Sequence, residues 1–295
     1  MRKVTFDNKL LPYLLLAPQL LILFWFFFWP AGQAVYSAFT ITDAFGGNTQ
    51  FVWFQNFSRE FTSPEYQKAI GVTLVFSFAT TVVALGFGLI FAIAVDRIIR
   101  GTSVYRVFVI WPYAVAPAVA GVVWVFTLDP QAGIGTFWIE RTFGVEWDPY
   151  LNRTHAMILV VVASAWKQIS YYFVFFLAGL QAIPKSLIEA AAMDGAGPIR
   201  RVRDLLLPLL APTTFFLVIM NIVYAFFETF GVVAVTTAGR PGDWTSILVY
   251  KVFKDGFIGL DYGASAAQSI VLMMAVIGLT ILQFRYIERR VHYSG

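Results

Sequence analysis

The sequence predicts an all-α, polytopic membrane protein in which six transmembrane helices form one domain over residues 1–295. Its 295 residues are 59% hydrophobic and only 13% charged, whereas a soluble domain carries about 25% charged residues. The mean hydropathy is +0.71, so a lipid bilayer is the expected solvent. Six stretches also reach the length of about 20 mostly apolar residues that a helix needs to cross a bilayer core.

The six predicted spans are, in chain order, about 10–29, 71–95, 104–128, 156–181, 209–235 and 264–287. The first span has a longer apolar run than the 7–15 residues of a signal-peptide core. It runs into Trp29-Pro30 rather than into a small-residue cleavage site. We therefore expect the first span to be an uncleaved membrane anchor.

Two prolines, Pro112 and Pro117, fall inside the third predicted span. Proline removes a backbone N–H and frees carbonyl groups, so we expect this span to be kinked or broken. Broken helices often mark the path of a transported substrate. A kink that serves packing alone is the other interpretation.

Composition excludes several functional classes. The chain has no cysteine, which excludes disulfides, thiolate chemistry and cysteine metal sites. His155 and His292 are far apart, so no metal site is predicted. There is no catalytic constellation, which indicates that the chain is not an enzyme. There is also no Gly-rich phosphate loop ending in Lys-Ser/Thr, so we expect this chain to bind no ATP and no cofactor.

Lysine and arginine residues predict the orientation in the membrane. With the N-terminus inside, most Lys and Arg residues outside the spans fall in the inner segments, as the positive-inside rule requires. The longer loops, about 30–70, 129–155 and 236–263, then lie outside. Both termini are therefore predicted to be cytoplasmic. The slight basic excess, 21 Lys and Arg against 17 Asp and Glu, reflects this topology rather than nucleic-acid binding.

The longest inner loop, about 182–208, predicts two short helices. Pro184 is expected to stop the preceding span, and the spacing of Ser186 and Glu189 predicts a capping box at the start of the first helix. Gly195 is placed for the left-handed residue that ends this helix after about two turns. Pro198 suits the first turn of a second helix, which Pro208 is expected to end.

The first of these helices is thin, because Ala190, Ala191 and Ala192 follow one another. A thin helix can lie deep in a groove of a partner protein. An amphipathic loop that lies on the inner leaflet is the alternative from composition alone.

The loop resembles the EAA motif of binding-protein-dependent ABC importer permeases. That pattern is Glu-Ala-Ala, three residues, Gly, nine residues and Ile-x-Leu-Pro; here Leu205 replaces the isoleucine. The resemblance implies a coupling helix that docks into a cleft of an ATP-binding subunit. The residues expected to carry this coupling are Glu189, Ala190, Ala191, Asp194, Gly195, Leu205, Leu207 and Pro208.

Further segments resemble maltose-type sugar permeases, and among them the A-type permeases of sn-glycerol-3-phosphate importers. These segments are 11–14, 17–20, 29–32, 112–120, 165–171, 194–201 and 265–269. The resemblance implies a type I ABC importer permease of the bacterial inner membrane that forms half of a pore for sn-glycerol-3-phosphate and, as a further substrate, glycerophosphodiesters. It also implies a second related permease subunit, two partner subunits that use ATP and Mg²⁺, and an external substrate-binding protein.

Ionisable groups inside a bilayer are costly and usually face a cavity or each other. Lys167 in the fourth predicted span and Glu228 in the fifth are such groups. They allow three interpretations: a buried ion pair, a pore-facing Lys167 that attracts phosphate, or a Lys167 that snorkels to the interface. The candidate residues of the substrate pathway are Lys167, Gln168, Tyr171, Tyr172, Asn221, Tyr224 and Glu228.

Two other functions remain open at this point. The same architecture can import a neutral sugar or an oligosaccharide, since Lys167 can have a purely structural role. An ion-coupled secondary transporter would need no partner ATPase, and the EAA-like loop argues against it.

Overall fold

The computed structural model describes residues 10–42, 48–96 and 102–286. These residues are mostly helical, which confirms the predicted α-helical membrane fold. By length and apolar composition, five helices in the described residues are able to cross a membrane, and a sharply bent helix pair makes six if it is one span. The predicted end of the sixth span at Ile287 and both termini lie outside the described residues.

The described α-helices follow in chain order. They are α1 Leu11–Leu23, α2 Trp29–Ala38, α3 Gln55–Thr62, α4 Pro64–Asp96, α5 Thr102–Ile110, α6 Pro117–Thr127, α7 Ile134–Phe143, α8 Arg153–Ala182, α9 Lys185–Met193, α10 Pro198–Arg201, α11 Leu207–Leu209, α12 Ala211–Val223, α13 Phe230–Thr236, α14 Leu248–Phe253 and α15 Tyr262–Tyr286. Four π-helical turns extend or join them, at Phe24–Phe28, Val202–Leu206, Tyr224–Glu228 and Lys254–Ile258. A 3₁₀ turn covers Trp111–Ala114, and two short strands, β1 Thr40–Thr42 and β2 Thr49–Phe51, form an antiparallel pair.

The chain divides into two compact units. One consists of Met1–Thr62 and Val252–Val271, and the other of Ser63–Lys251 and Leu272–Gly295. The second unit contains the candidate functional residues named above.

The first unit is held together by buried polar contacts. The Asn56 side chain donates hydrogen bonds to the backbone oxygens of Ala38 and Thr40, at 3.0 and 2.9 Å. The Gln268 amide nitrogen lies 2.7 Å from Glu60 Oε2 and 2.6 Å from Asp255 Oδ2. These contacts place hydrogen-bond partners around polar groups in an otherwise apolar unit.

The second unit is built on the packing of α4 against α8, its most extensive helix pair. Gly88 lies at the closest approach: a Cβ atom there would be 2.9 Å from Tyr172 Cβ and 3.3 Å from the Phe173 nitrogen. Small residues at such positions let two membrane helices approach closely, because van der Waals packing rather than hydrophobicity drives their association. Ala84 and Ala92, both fully buried, continue this surface along α4.

The third predicted span is broken, as its prolines predict. Residues Ser103–Ala114 and Pro117–Thr127 are bent by 106° relative to each other. Val115 and Ala116 between them have extended backbones, and Pro117 begins α6 at its first turn. The residue before a proline is driven away from helical geometry, so the break falls where Pro117 places it.

The first predicted span is longer than expected. The sequence predicts an end near Trp29, but helical structure continues from Leu11 to Ala38. Pro30 is accommodated in the first turn of α2, after the π-turn Phe24–Phe28 has closed with a bond from Trp29 N–H to Phe24 O. A π-turn shifts the hydrogen-bond register, so the missing N–H of a proline does not end the helix.

The fifth predicted span is interrupted. Continuous helix was expected over 209–235, but the chain breaks at Thr229 between the π-turn Tyr224–Glu228 and α13. The Thr229 hydroxyl donates to Ala225 O at 2.9 Å. Threonine side chains that bond to the carbonyl four residues earlier often bend helices.

We predict that Gly88→Val destabilises the protein by about 1–3 kcal/mol, the usual cost of overpacking a tight interface. The added methyl groups would collide with Tyr172 and separate α4 from α8. Thermal unfolding of the purified protein in detergent measures the effect. Gly86→Val is the matched control on the same helix, because a Cβ at Gly86 meets no atom within 4 Å. Equal melting temperatures of the two variants would contradict this account.

Candidate functional site

A cavity of about 290 Å³ in the second unit brings together five of the seven candidate pathway residues. Small-molecule sites are concave and usually have a few polar groups that converge on one space. The lining residues are Tyr113, Lys167, Gln168, Tyr171, Met220, Val223, Tyr224 and Glu228.

The α8 helix supplies three polar residues to the cavity. Lys167 and Tyr171 are four residues apart, which places them on one face of the helix, and Gln168 lies beside them. Lys167 and Gln168 are largely withdrawn from solvent, with 9% and 6% of their surfaces exposed.

Tyr113 is a cavity residue that the sequence did not single out. Its ring stacks on Tyr171, with 5.5 Å between centroids and 27° between planes. The Lys167 ammonium nitrogen lies 6.0 Å from the centroid of the Tyr113 ring, at the outer limit of a cation–π contact. The signal was the pair Pro112 and Pro117, because Tyr113 lies in the turn between them, where the third span is broken.

The ion pair between Lys167 and Glu228, one of three interpretations of the sequence, is not formed. No nitrogen–oxygen distance of 4.0 Å or less joins them, although both line the cavity. Within the described part of the chain, Lys167, Gln168 and Glu228 have no side-chain hydrogen bond or ion pair. An ammonium, an amide and a carboxylate therefore face one cavity with their hydrogen-bonding capacity unused.

Tyr172 and Asn221 do not line this cavity. Both are fully buried, and the Tyr172 hydroxyl donates to Asn221 Oδ1 at 2.5 Å. The Asn221 amide in turn donates to Thr81 Oγ1, and the Thr81 hydroxyl donates to Ser77 O at 2.6 Å. These two candidate pathway residues join α8, α12 and α4 instead of lining the cavity.

The inner-loop helix α9 begins two residues earlier than the capping box requires. Pro184 occupies the N-cap position with an extended backbone, and no side chain caps the helix. Ser186 therefore lies inside the first turn, and the predicted capping box is wrong. The prediction that Pro184 follows the end of the fourth span is confirmed, since α8 ends at Ala182.

Gly195 has the predicted left-handed conformation, with φ of +76°. The Ala196 N–H bonds to Ala191 O at 2.9 Å, and the Gly195 N–H bonds to Ala192 O at 3.1 Å. This pair of hydrogen bonds is a Schellman motif, which requires a residue with positive φ and therefore favours glycine. The motif turns the chain sharply from α9 into α10. The first residue of α10 is Pro198, as predicted.

The α9–α10 segment is exposed. None of its residues is buried, and two of its apolar side chains are almost fully accessible, Met193 at 88% and Ile199 at 85%. Glu189 and Ala190 lie exposed on the same short helix. Two large apolar side chains left accessible on one short exposed segment favour a protein interaction surface.

The end of the EAA-like segment differs from the prediction. Pro208 was expected to end the second helix, but helical structure passes through it, with the π-turn Val202–Leu206 immediately before. As at Pro30, a π-turn before the proline shifts the backbone hydrogen-bond register, so the missing N–H of Pro208 does not end the helix. Leu206 is 7% exposed and packs into the core, whereas Leu205 is half-buried and Leu207 is exposed. Leu206 thus anchors this segment to the spans.

Comparisons with known proteins agree with these features. A family described as binding-protein-dependent transport system inner membrane component matches residues 84–293. The chain belongs to this family. It is 55% identical over 294 residues to the sn-glycerol-3-phosphate transport system permease protein UgpA of Rhizobium meliloti, with 100% of both chains covered. The protein of that name from Salmonella typhimurium is 51% identical, with 98% of both chains covered.

Solved structures share the fold of this permease. The chain matches a bacterial ABC transporter involved in the import of the acidic polysaccharide alginate, with a TM-score of 0.79, 17% identity and 95% of each chain covered. A second structure, of the bacterial alginate ABC transporter in complex with an alginate pentasaccharide-bound periplasmic protein, matches with a TM-score of 0.80. The fold is that of a type I ABC importer permease. The chain is therefore a non-catalytic, multi-pass subunit of the inner membrane that acts with a binding protein.

We predict that Gly195→Asp abolishes transport while the permease remains in the membrane. A side chain strains the positive φ of the Schellman motif and displaces the exposed α9–α10 turn. Substrate uptake and membrane abundance are measured together. Gly197→Asp is the control, because Gly197 has a negative φ at the N-cap of α10, where aspartate is favourable. Full transport by the Gly195 variant would argue against a coupling role for this turn.

Proposed function

We propose that this chain is one of two permease subunits of an ABC importer for sn-glycerol-3-phosphate, with glycerophosphodiesters as further substrates. The observation that carries the substrate assignment is the 55% identity, over the full length, to a permease named for that compound. The cavity chemistry supports it, since Lys167 lines the cavity and its ammonium has no ion pair with any of the described residues.

In this proposal Lys167 binds the phosphate group. Because no carboxylate among the described residues forms an ion pair with it, this ammonium can pair directly with an anionic ligand. The interaction is strengthened because the surrounding protein and lipid have a low dielectric constant. Tyr113 and Tyr171 form an aromatic wall beside the ammonium. Gln168 offers a further amide donor to phosphate oxygens.

The remaining partners of the importer also belong to the proposal. A second related permease completes the pore, and two cytoplasmic subunits bind ATP and Mg²⁺. The exposed α9–α10 segment fits a groove of one ATP-binding subunit, with Met193 and Ile199 as its apolar contacts. Both termini lie in the cytoplasm, and a periplasmic binding protein delivers the substrate at the opposite face.

Uptake of labelled sn-glycerol-3-phosphate tests the proposal in cells that lack this gene, with and without the gene restored. We expect loss of uptake in the deletion and recovery on restoration. Excess unlabelled maltose or trehalose is added alongside and is expected not to compete. Unchanged uptake in the deletion, or strong competition by a sugar, would overturn the substrate assignment and leave a sugar importer as the alternative.

We predict that Lys167→Met lowers sn-glycerol-3-phosphate uptake at least about tenfold. A charged hydrogen bond contributes about 1.5–3 kcal/mol, which corresponds to that range. The uptake assay measures the loss, and co-purification of the subunits confirms that the complex still assembles. Lys167→Arg keeps the positive charge and is expected to retain most of the uptake. Normal transport by the methionine variant would exclude a required charge at this position.

A further inference from the structure

Glu228 presents a second, opposite charge to the cavity that Lys167 faces. A carboxylate is an acceptor only, and an ammonium is a donor only. They line the same space without an ion pair, and neither has another hydrogen-bonding partner within the described residues. A carboxylate that faces a phosphate-binding cavity is unfavourable unless the ligand also carries hydrogen-bond donors.

The backbone holds Glu228 towards α8. Glu228 closes the π-turn that begins at Tyr224, directly before the break at Thr229. Tyr224 is anchored mainly by burial, since 5% of its surface is exposed, and its hydroxyl donates a long hydrogen bond of 3.4 Å to Ser164 O on α8. Residues four apart in a helical turn lie on one face, so the anchored Tyr224 fixes the side on which Glu228 stands.

We propose that Glu228 determines specificity by accepting hydrogen bonds from the hydroxyl groups of the substrate while Lys167 binds its phosphate. The ligand class is phosphate esters of polyols, which carry an anionic group at one end and free hydroxyls at the other. This inference rests on the proposed function and deepens it. With a cavity of about 290 Å³, a three-carbon ester of this kind fits the small end of the range of ligand sites.

Rejection of other phosphates follows from the same arrangement. Inorganic phosphate and simple alkyl phosphates have no carbon-bound hydroxyls to donate to Glu228. Their binding would leave the carboxylate desolvated, unpaired and close to a second anion. Sites built to hydrogen-bond a hydroxyl reject analogues that lack it far more strongly than apolar pockets reject a missing methylene. Glu228 thus weakens the binding of phosphates that lack hydroxyls and strengthens the binding of polyol phosphates.

Competition binding tests the inference on the complete importer, with both permeases and both ATP-binding subunits, in nanodiscs. The probe is labelled sn-glycerol-3-phosphate, and the competitors are unlabelled sn-glycerol-3-phosphate, n-propyl phosphate and inorganic phosphate. We expect the wild type to prefer the glycerol ester over n-propyl phosphate by about 100-fold or more. Glu228→Met is expected to reduce this preference to about threefold or less.

Two further variants separate hydroxyl recognition from a structural role. Glu228→Gln keeps a carbonyl acceptor and is expected to retain part of the preference. Glu146→Gln removes an exposed carboxylate in the loop after α7 and is expected to leave the preference unchanged. Each variant complex is checked for assembly by size-exclusion chromatography.

An unchanged preference in an assembled Glu228→Met complex would overturn the inference. Absence of glycerol-ester binding by the wild-type complex would overturn it as well. Neither result affects the uptake experiment, because the gene deletion and its restoration alone test the importer assignment. Failure of the specificity role is therefore distinguishable from failure of the proposed function.

Discussion

The hydrogen-bond chain from Tyr172 through Asn221 to Thr81 determines how the second unit is arranged. A bilayer core offers no water, so polar groups there need partners within the protein. This chain joins α8, α12 and α4 and thereby fixes the face of α8 that packs inward. Tyr171, the residue before Tyr172, is consequently turned towards the cavity together with Lys167.

The need of polar groups in a bilayer for partners also indicates what the cavity does. Some polar side chains of this unit have partners, as Thr229 has in Ala225 and Tyr224 has in Ser164, whereas buried hydroxyls such as that of Ser170 have none among the described residues. Lys167, Gln168 and Glu228 have no such partners among the described residues, and they meet at one space. Unused hydrogen-bonding capacity inside a membrane is costly, and in the proposed function the transported substrate supplies the missing partners.

The sequence predicted the features that depend on single residues. Apolar length predicted the spans, Pro117 the break in the third span, and Gly195 the positive φ. It did not predict the π-turns, because one extra residue in a turn shifts the helix phase without a distinctive pattern. Two errors at prolines, Pro30 and Pro208, have this origin. The different roles of Tyr171 and Tyr172 depend on contacts between distant helices, which periodicity does not reveal.

The α8 helix connects the two parts of the proposed importer. It runs without interruption from Lys167 to Ala182, and only Ile183 and Pro184 separate it from α9. At 1.5 Å per residue this is a rigid path of about 22 Å. The returning arm is packed against it, because a Cβ at Gly179 would lie 2.8 Å from Leu210 Cδ2. Both arms of the inner loop are thus tied to one helix, and in the proposed importer we expect a displacement of α9 by an ATP-binding subunit to move Lys167 with it. Rigid elements of this kind provide a physical route for coupling, which a flexible linker after α8 would not.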